Sequence, residues 1–193
     1  ECEFTGNEWS LYKNLREANP APFGAYLKFP MVQILSSSPE QFLSLDGTFI
    51  ETRPIKGTKP RGDTQEIDTQ MAKDLFNSNK DRAENIMIVD LLRNDLGKVC
   101  TVGSVKVPSL FSLEAHPTVW HLVSTITGCL APRNTVVDLI RATFPGGSIT
   151  GTPKIRAMEI IEDIEPVRRQ VYCGSIGYIS FTGNMKTNIA IRT

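Results

Sequence analysis

The sequence has no surplus of charge of either sign. Lys and Arg together number 21, and Asp and Glu together also number 21, so the formal net charge is zero. A domain that binds nucleic acid usually carries a basic surplus, and the balance argues against a nucleic-acid partner. It does not argue against a local basic pocket for a small anion.

Cysteines and long apolar runs are also scarce. The four cysteines are Cys2, Cys100, Cys129 and Cys173, and none forms a Cys-x-x-Cys pair. We therefore expect no disulfide framework and a reducing, cytoplasmic setting. No apolar run reaches the roughly 20 residues of a membrane span, and no signal-peptide pattern is visible. We expect a globular protein that does not act at a membrane. The chain begins at Glu1 rather than Met and ends within a segment that has the pattern of a strand, so we expect a piece of a longer protein.

The stretch from Thr52 to Gly62 contains four basic residues close together in the sequence. It contains Arg53, Lys56, Lys59 and Arg61, with two prolines and two glycines between them. Lys56 follows Pro-Ile and precedes Gly-Thr, where an extended segment is expected to break into a loop. Neighbouring positive charge favours a neutral amine, so Lys56 is a candidate nucleophile. The alternative is an exposed basic loop without a chemical role.

A hairpin pattern precedes this stretch. Asp46-Gly47 separates two short apolar segments, which predicts a β-hairpin with a two-residue turn at 46–47. That register would place Lys56 opposite Ser37, one short step from Glu40. A carboxylate and a candidate nucleophile would then meet at one end of the hairpin. Alternatively, Ser38-Pro39-Glu40 only opens a helical turn.

Two later segments carry further polar candidates. A helix is predicted over about residues 80–95, and Asp81 and Glu84 share one of its faces because they are three residues apart. Such a pair can bind a hard cation through oxygen, or can belong to a solvated surface. His121 lies in a strand predicted over residues 119–127, as a base, a hydrogen-bond donor or a structural residue.

The segment 144–154 is rich in glycine and opens a helix, with Thr152 as the expected cap. Backbone N–H groups at such a place can bind an anion. It is not a Walker loop, because Thr152 stands where that motif needs Lys. We therefore expect carboxylate binding rather than nucleotide binding, or else a plain connection. A second hairpin is predicted over residues 171–193, with Tyr172 and Arg192 at its open end.

Seven motifs follow one another along the chain: SPE (38–40), RPIKGT (53–58), DRAEN with MIVD (81–90), RND (93–95), HLVS (121–124), PGGSITG (145–151) and YCGSIGY (172–178). In this order they resemble the chorismate-utilising enzymes, a family that includes anthranilate, isochorismate, salicylate and aminodeoxychorismate synthases. The resemblance extends over nearly all of the chain. Each motif is modest, whereas the series is highly specific.

The resemblance implies an α+β chorismate-binding fold, with largely antiparallel sheets in a sandwich-like core, helices outside and a Mg²⁺-dependent site. It also implies that Lys56 attacks C2 of chorismate while Glu40, as general acid, protonates the departing C4 hydroxyl. Ammonia from a glutamine amidotransferase partner would then displace the lysine. The aminodeoxychorismate branch carries Lys at this position, where the sister enzymes typically carry Ala.

Other roles come from the same resemblance. Glu84 matches a Mg²⁺ ligand, and Asp81, one turn earlier, would lie in its surroundings. Tyr172 and Arg192 match binders of the enolpyruvyl carboxylate. The residues that the resemblance places around the substrate are His121, Gly147, Ser148, Tyr172 and Arg192.

The family continues beyond the carboxyl end of this chain with another acidic helix that supplies a further Mg²⁺ ligand, and part of the catalytic chain precedes it. We therefore expect residues 1–193 to be a chorismate-binding catalytic domain that is incomplete at both ends. The expected activity of the parent protein is conversion of chorismate and ammonia to 4-amino-4-deoxychorismate, for p-aminobenzoate and folate synthesis. Two alternatives stay open: anthranilate synthase component I, and a non-catalytic binding or assembly module.

Overall fold

A computed structural model describes residues 4–193. The helices are α1 (Glu8–Ala18), α2 (Gln65–Phe76), α3 (Asn79–Gly97), α4 (Val136–Thr143) and α5 (Lys154–Ile164), with a 3-10 helix (Gly147–Ile149) between the last two. The strands are β1 (Phe23–Lys28), β2 (Gln33–Ser38), β3 (Gln41–Asp46), β4 (Phe49–Arg53), β5 (Ile55–Pro60), β6 (Lys106–Ala115), β7 (Val119–Cys129), β8 (Gly177–Ile179) and β9 (Met185–Asn188). Within this part of the chain, no helix has the length and apolar character needed to cross a membrane.

The strands pair antiparallel throughout residues 4–193. In the larger sheet, β7 pairs with β5 and β4 along one side and with β6 along the other. The sheet continues from β4 through β3 and β9 to β8. β1 and β2 form a separate two-stranded sheet. β4 and β5 follow each other along the same side of β7. This architecture confirms the α+β class with antiparallel sheets.

One apolar core lies between the larger sheet and the helices α3 and α4. It includes Leu43 and Ile50 from the sheet, Ile88 and Leu96 from α3, and Leu139 from α4. Apolar positions three or four residues apart fall on one face of a helix, which is why α3 can lie along the sheet. α3 contacts β5, β7 and the 3-10 helix, so it spans the region that holds the candidate residues.

The first hairpin is present, but its predicted register is wrong. The turn is Gly47-Thr48, and Asp46 pairs with Phe49. The first turn residue needs a positive φ, and Gly47 supplies it at +58°. Lys56 is therefore not opposite Ser37, which pairs with β1 instead.

Two predictions near the carboxyl end need correction as well. The residue at the N-cap of α5 is Pro153, which makes no side-chain cap, so Thr152 is not the cap. The second hairpin is formed only by β8 and β9, while residues 170–173 form a turn.

Candidate active site

Lys56 lies on β5 at an irregularity in the pairing between β5 and β7. Ile55 pairs with Val123 in the same register as β4. Thr58 pairs with His121, which is one residue out of that register. The extra residue makes a β-bulge at Lys56-Gly57, and a bulge bends the strand and re-aims a side chain. The chain therefore stays in the sheet at this point instead of leaving it as a loop.

The bulge depends on Gly57. Its φ is +97°, a conformation that L side chains rarely adopt. A Cβ at this position would lie 2.9 Å from Cδ1 of Leu75 and 3.0 Å from Cβ of Asp81. Leu75 belongs to α2 and Asp81 to the first turn of α3. The missing side chain thus allows both helices to approach the strand next to Lys56.

Three segments of the chain meet at the amine of Lys56. Its Nζ donates a hydrogen bond of 2.9 Å to the backbone carbonyl of Ser148, in the 3-10 helix. Glu40, in the link between β2 and β3, is 5% exposed. Its carboxyl group lies close enough to the side chain of Ser148 and to the charge of Lys56 for both of them to lower its pKa. The structure thus brings Glu40, Lys56 and Ser148 together, although by another route than the predicted register.

The carboxyl group of Glu40 has an unusual acidity. Burial raises the pKa of Glu40 from 4.5 to about 7. The Ser148 side chain, the charge of Lys56 and the backbone of Ile55 act in the opposite direction, and about 7 is the net pKa. A carboxyl group with a pKa near 7 is substantially protonated at neutral pH, so it can give a proton to a leaving group.

The loop that carries Ser148 is packed closely against the core. A side chain at Gly146 would clash with Ile189, and a Cβ at Gly147 would lie 3.1 Å from Cδ2 of Leu91. The hydroxyl of Thr150 donates a hydrogen bond of 2.9 Å to the carbonyl of Gly146. Tight packing therefore accounts for these glycines, and anion binding by the N–H groups of the loop stays a prediction.

His121 is buried on β7 beside Thr58, whose Oγ1 lies 2.9 Å from the imidazole Nδ1. Burial lowers the pKa of His121, the nearby His116 and Arg192 act in the same direction, and the net pKa is about 4. The imidazole is therefore neutral at physiological pH and can serve as a hydrogen-bonding group. It lines a narrow cleft with Arg192 and with Pro39, which directly precedes the buried glutamate.

Two of the other cations in the basic stretch are engaged elsewhere. Arg53 forms an ion pair with Glu114 on β6. Arg61 forms a bidentate pair with Asp68 on α2, at 2.7 Å from Nε to Oδ1 and 2.6 Å from its terminal nitrogen to Oδ2. These pairs fasten β4 and β5 to neighbouring elements. The expectation that Arg53 and Arg61 surround Lys56 with unpaired positive charge is wrong.

Comparison with known proteins adds the deciding observation: residues 1–193 match the family described as chorismate binding enzyme. The chain belongs to this family. It is 56% identical over 193 residues to aminodeoxychorismate synthase component 1 of Salmonella typhimurium, and 57% identical over 190 residues to that of Escherichia coli. These matches cover 100% and 98% of this chain and 42% of each relative. The crystal structure of anthranilate synthase component I from Streptococcus pneumoniae matches with a TM-score of 0.89 at 40% identity, over 99% of this chain and 42% of that one. The chain thus spans less than half the length of these relatives.

The predicted Mg²⁺ ligand Glu84 lies on α3, one turn after Asp81. Its carboxylate is partly exposed and lies 3.8 Å from the amine of Lys80. Residues 4–193 contain no group of three or more His, Cys, Asp or Glu side chains that could hold a metal ion. Mg²⁺ requires near-octahedral coordination by oxygen. Glu84 could supply one ligand, but the part of the chain that the structure describes does not form a complete site.

Asn85 has a role that the sequence reading did not assign. It is fully buried between α3 and β7. Its Oδ1 accepts a hydrogen bond of 2.6 Å from Ser124, and its Nδ2 donates one of 3.4 Å to the carbonyl of Leu122. This network fixes the rotation of α3 and therefore the direction of Glu84. A polar residue three positions before Ile88, on the apolar face of the helix, is the signal that could have revealed it.

Tyr172 and Arg192 lie on neighbouring segments, because the N–H of Cys173 donates a hydrogen bond of 2.8 Å to the carbonyl of Ala190. Tyr172 is exposed, and its interaction with Cys173 raises the pKa of the phenol. Arg192 lines the cleft beside His121. The structure therefore places Arg192 with His121, while a site that Arg192 shares with Tyr172 stays a prediction.

Proposed function

We propose that the protein containing this chain is an aminodeoxychorismate synthase, which converts chorismate and ammonia to 4-amino-4-deoxychorismate for p-aminobenzoate and folate synthesis. The observation that carries the proposal is the juxtaposition of the Lys56 amine with the buried carboxyl group of Glu40. The identity of 56–57% to proteins named aminodeoxychorismate synthase component 1 supports it.

The proposed reaction has two displacement steps. In the first, the amine of Lys56 forms a bond to C2 of chorismate, the ring double bonds shift, and the bond from C4 to its hydroxyl oxygen breaks. Glu40 gives its proton to that oxygen, which leaves as water, because hydroxide is a poor leaving group unaided. In the second, ammonia bonds to C4, the double bonds shift back, the bond between C2 and Lys56 breaks, and the new ammonium group at C4 returns a proton to Glu40. The net exchange is ammonia for water.

The remaining residues have supporting roles in this proposal. His121 and Arg192 bind the substrate from the cleft that they share, together with Gly147, Ser148 and Tyr172. Glu84 contributes one ligand to a Mg²⁺ ion, whose other ligands would lie outside residues 4–193. The relatives are named component 1, and we propose a glutamine amidotransferase as the other component, which would supply the ammonia.

The direct test is to identify the product of the full-length protein given chorismate, ammonium and Mg²⁺, with wild-type and Lys56→Ala enzymes compared. We expect wild type to form 4-amino-4-deoxychorismate and the variant to lose this activity, because the proposed bond to C2 is made by the Lys56 amine. Lys59→Ala is the matched control, since it removes the same kind of charge three residues away. Normal turnover by Lys56→Ala would exclude the covalent role.

The match to an anthranilate synthase component I structure supports a second candidate, with nitrogen placed at C2 and pyruvate released. Product analysis separates the two, because anthranilate is fluorescent and forms together with pyruvate. Anthranilate as the main product would exclude the first proposal. A non-catalytic module would bind chorismate without any dependence on Mg²⁺, and titration of the full-length protein with and without the metal tests that possibility.

A further inference from the structure

Lys154, the first residue of α5, has a largely buried side chain that is 13% exposed. Its ammonium group makes an ion pair with the carboxylate of Asp95, which is 1% exposed. It also donates hydrogen bonds of 2.8 Å to the carbonyl of Thr143 and 2.8 Å to the carbonyl of Pro145. An ammonium group has three N–H donors, and all three are used here.

The three acceptors belong to different parts of the fold. Asp95 is near the end of α3, and Thr143 is the last residue of α4. A cation is favourable beside Thr143, because the carboxyl end of a helix carries partial negative charge. Pro145 begins the glycine-rich loop, and Lys154 follows the end of that loop. The contact between Lys154 and Pro145 therefore fastens the two ends of the loop to each other and to α3.

The residue held between these two ends is Ser148. Its carbonyl accepts the hydrogen bond from Lys56, and its side chain lies near enough to Glu40 to lower the pKa of that carboxyl group. Gly147, immediately before it, packs on Leu91 of α3. The position of the loop relative to α3 consequently sets the distance from Ser148 to both reacting groups.

A buried ion pair is weak evidence for stability, because apolar side chains of similar size often stabilise a protein as much. An apolar side chain could not, however, hold two carbonyl groups and a carboxylate in fixed directions. We propose that Lys154 is a positioning residue, which acts through the 145–151 loop to hold Ser148 against Lys56 and Glu40; its effect on turnover rests on the function proposed above.

The test uses the full-length protein and a charge-neutral double variant, Asp95→Asn with Lys154→Met, because either single change would leave a buried charge unpaired. We expect the double variant to fold and to lose protection from hydrogen exchange at the backbone amides of residues 144–151. We expect kcat to fall about 10²-fold, the effect of a displacement of about 1 Å at a reacting group. Lys98→Met is the matched control, because Lys98 also pairs with Asp95 but is 54% exposed and lies outside the loop.

A pH profile distinguishes positioning from a purely structural role. Glu40 faces Lys56, Ser148 and the backbone of Ile55, all of which lower its pKa, so displacement of Ser148 would raise the pKa of Glu40. The fall of kcat at high pH should therefore move to higher pH in the double variant, as it should in Ser148→Ala. Adding Ser148→Ala to the double variant should then cause little further loss.

The outcomes separate the two proposals. A folded double variant with unchanged loop exchange overturns the positioning role, whatever its melting temperature. Unchanged kcat and an unchanged pH profile, with faster loop exchange, overturn it as well. If wild type forms no 4-amino-4-deoxychorismate while the double variant loses loop protection, the proposed function fails and the anchoring of the loop by Lys154 stands.

Discussion

Replacement of Glu40 by Gln should make the protein more stable at neutral pH. Burial raises the pKa of Glu40 from 4.5 to about 7. Each pKa unit corresponds to 1.36 kcal/mol, so the free energy at stake is about 3 kcal/mol. Because the folded state binds this proton more tightly than the unfolded state, protonated Glu40 makes its full contribution to the free energy of unfolding below pH 4.5. This contribution is lost as the pH rises through about 7, where the buried carboxylate becomes charged.

The variant Glu40→Gln lacks this charge at every pH. The difference in the free energy of unfolding between the variant and wild type should therefore rise by about 3 kcal/mol between pH 4 and pH 8. Urea unfolding followed by tryptophan fluorescence at several pH values measures it. Glu17→Gln, the same change at an exposed position on α1, is the matched control.

A difference that stays constant from pH 4 to pH 8 would refute the reasoning, since it would mean that Glu40 is not held in its protonated form by burial. The same experiment in a Lys56→Ala background sharpens the test. The charge of Lys56 lowers the pKa of Glu40, so its removal should enlarge the rise with pH.

Three other substitutions test the surroundings of the site. Gly57→Ala should destabilise the protein by about 1–3 kcal/mol through backbone strain, and it should also reduce activity. The control Gly47→Ala, at a position with open space around it, should cost less stability and leave activity unchanged. Urea unfolding measures the stability of both variants, and turnover measures their activity. Asn85→Ala should cost about 1–3 kcal/mol, because buried hydrogen-bonding partners are left unpaired; a loss below the error of urea unfolding would contradict this. The ion pair with Arg61 lowers the pKa of Asp68, so its stabilisation is lost as the pH falls; Asp68→Asn should therefore lose less stability in acid than wild type, and equal loss would count against the pair.

Local signals in the sequence were sufficient for most helices. The sequence predicts a helix over residues 136–143, and α4 has these bounds. The reason is a capping box in which Thr135 and Asp138 satisfy each other's backbone N–H groups. Apolar spacing likewise predicted α3, because the helical period can be recognised within a single segment of the sequence.

Pairings between distant segments could not be obtained in the same way. The hairpin was predicted, but its turn begins one residue later, and a wrong turn shifts every pair in the ladder. Nothing near Lys56 in sequence shows that β5 pairs with β7 rather than with β3. The sequence also does not show that Arg53 pairs with Glu114 or that Arg61 pairs with Asp68. A charged residue alone does not indicate which residue of opposite charge it will contact. The proximity of Glu40 and Lys56 was expected from a hairpin register with its turn at residues 46–47, and the structure shows a different register.

The bulge at Lys56-Gly57 has a consequence for how this family could diversify. The residue inserted by a bulge has no partner in the ladder, so its side chain can change while the hydrogen bonds on either side are kept. Gly57, by contrast, is confined by its φ and by two helices. Lys56, whose side chain can change without loss of a ladder hydrogen bond, thus lies directly beside a position that requires glycine. An exchange of Lys56 for Ala, or the reverse exchange, would then need no rebuilding of the sheet.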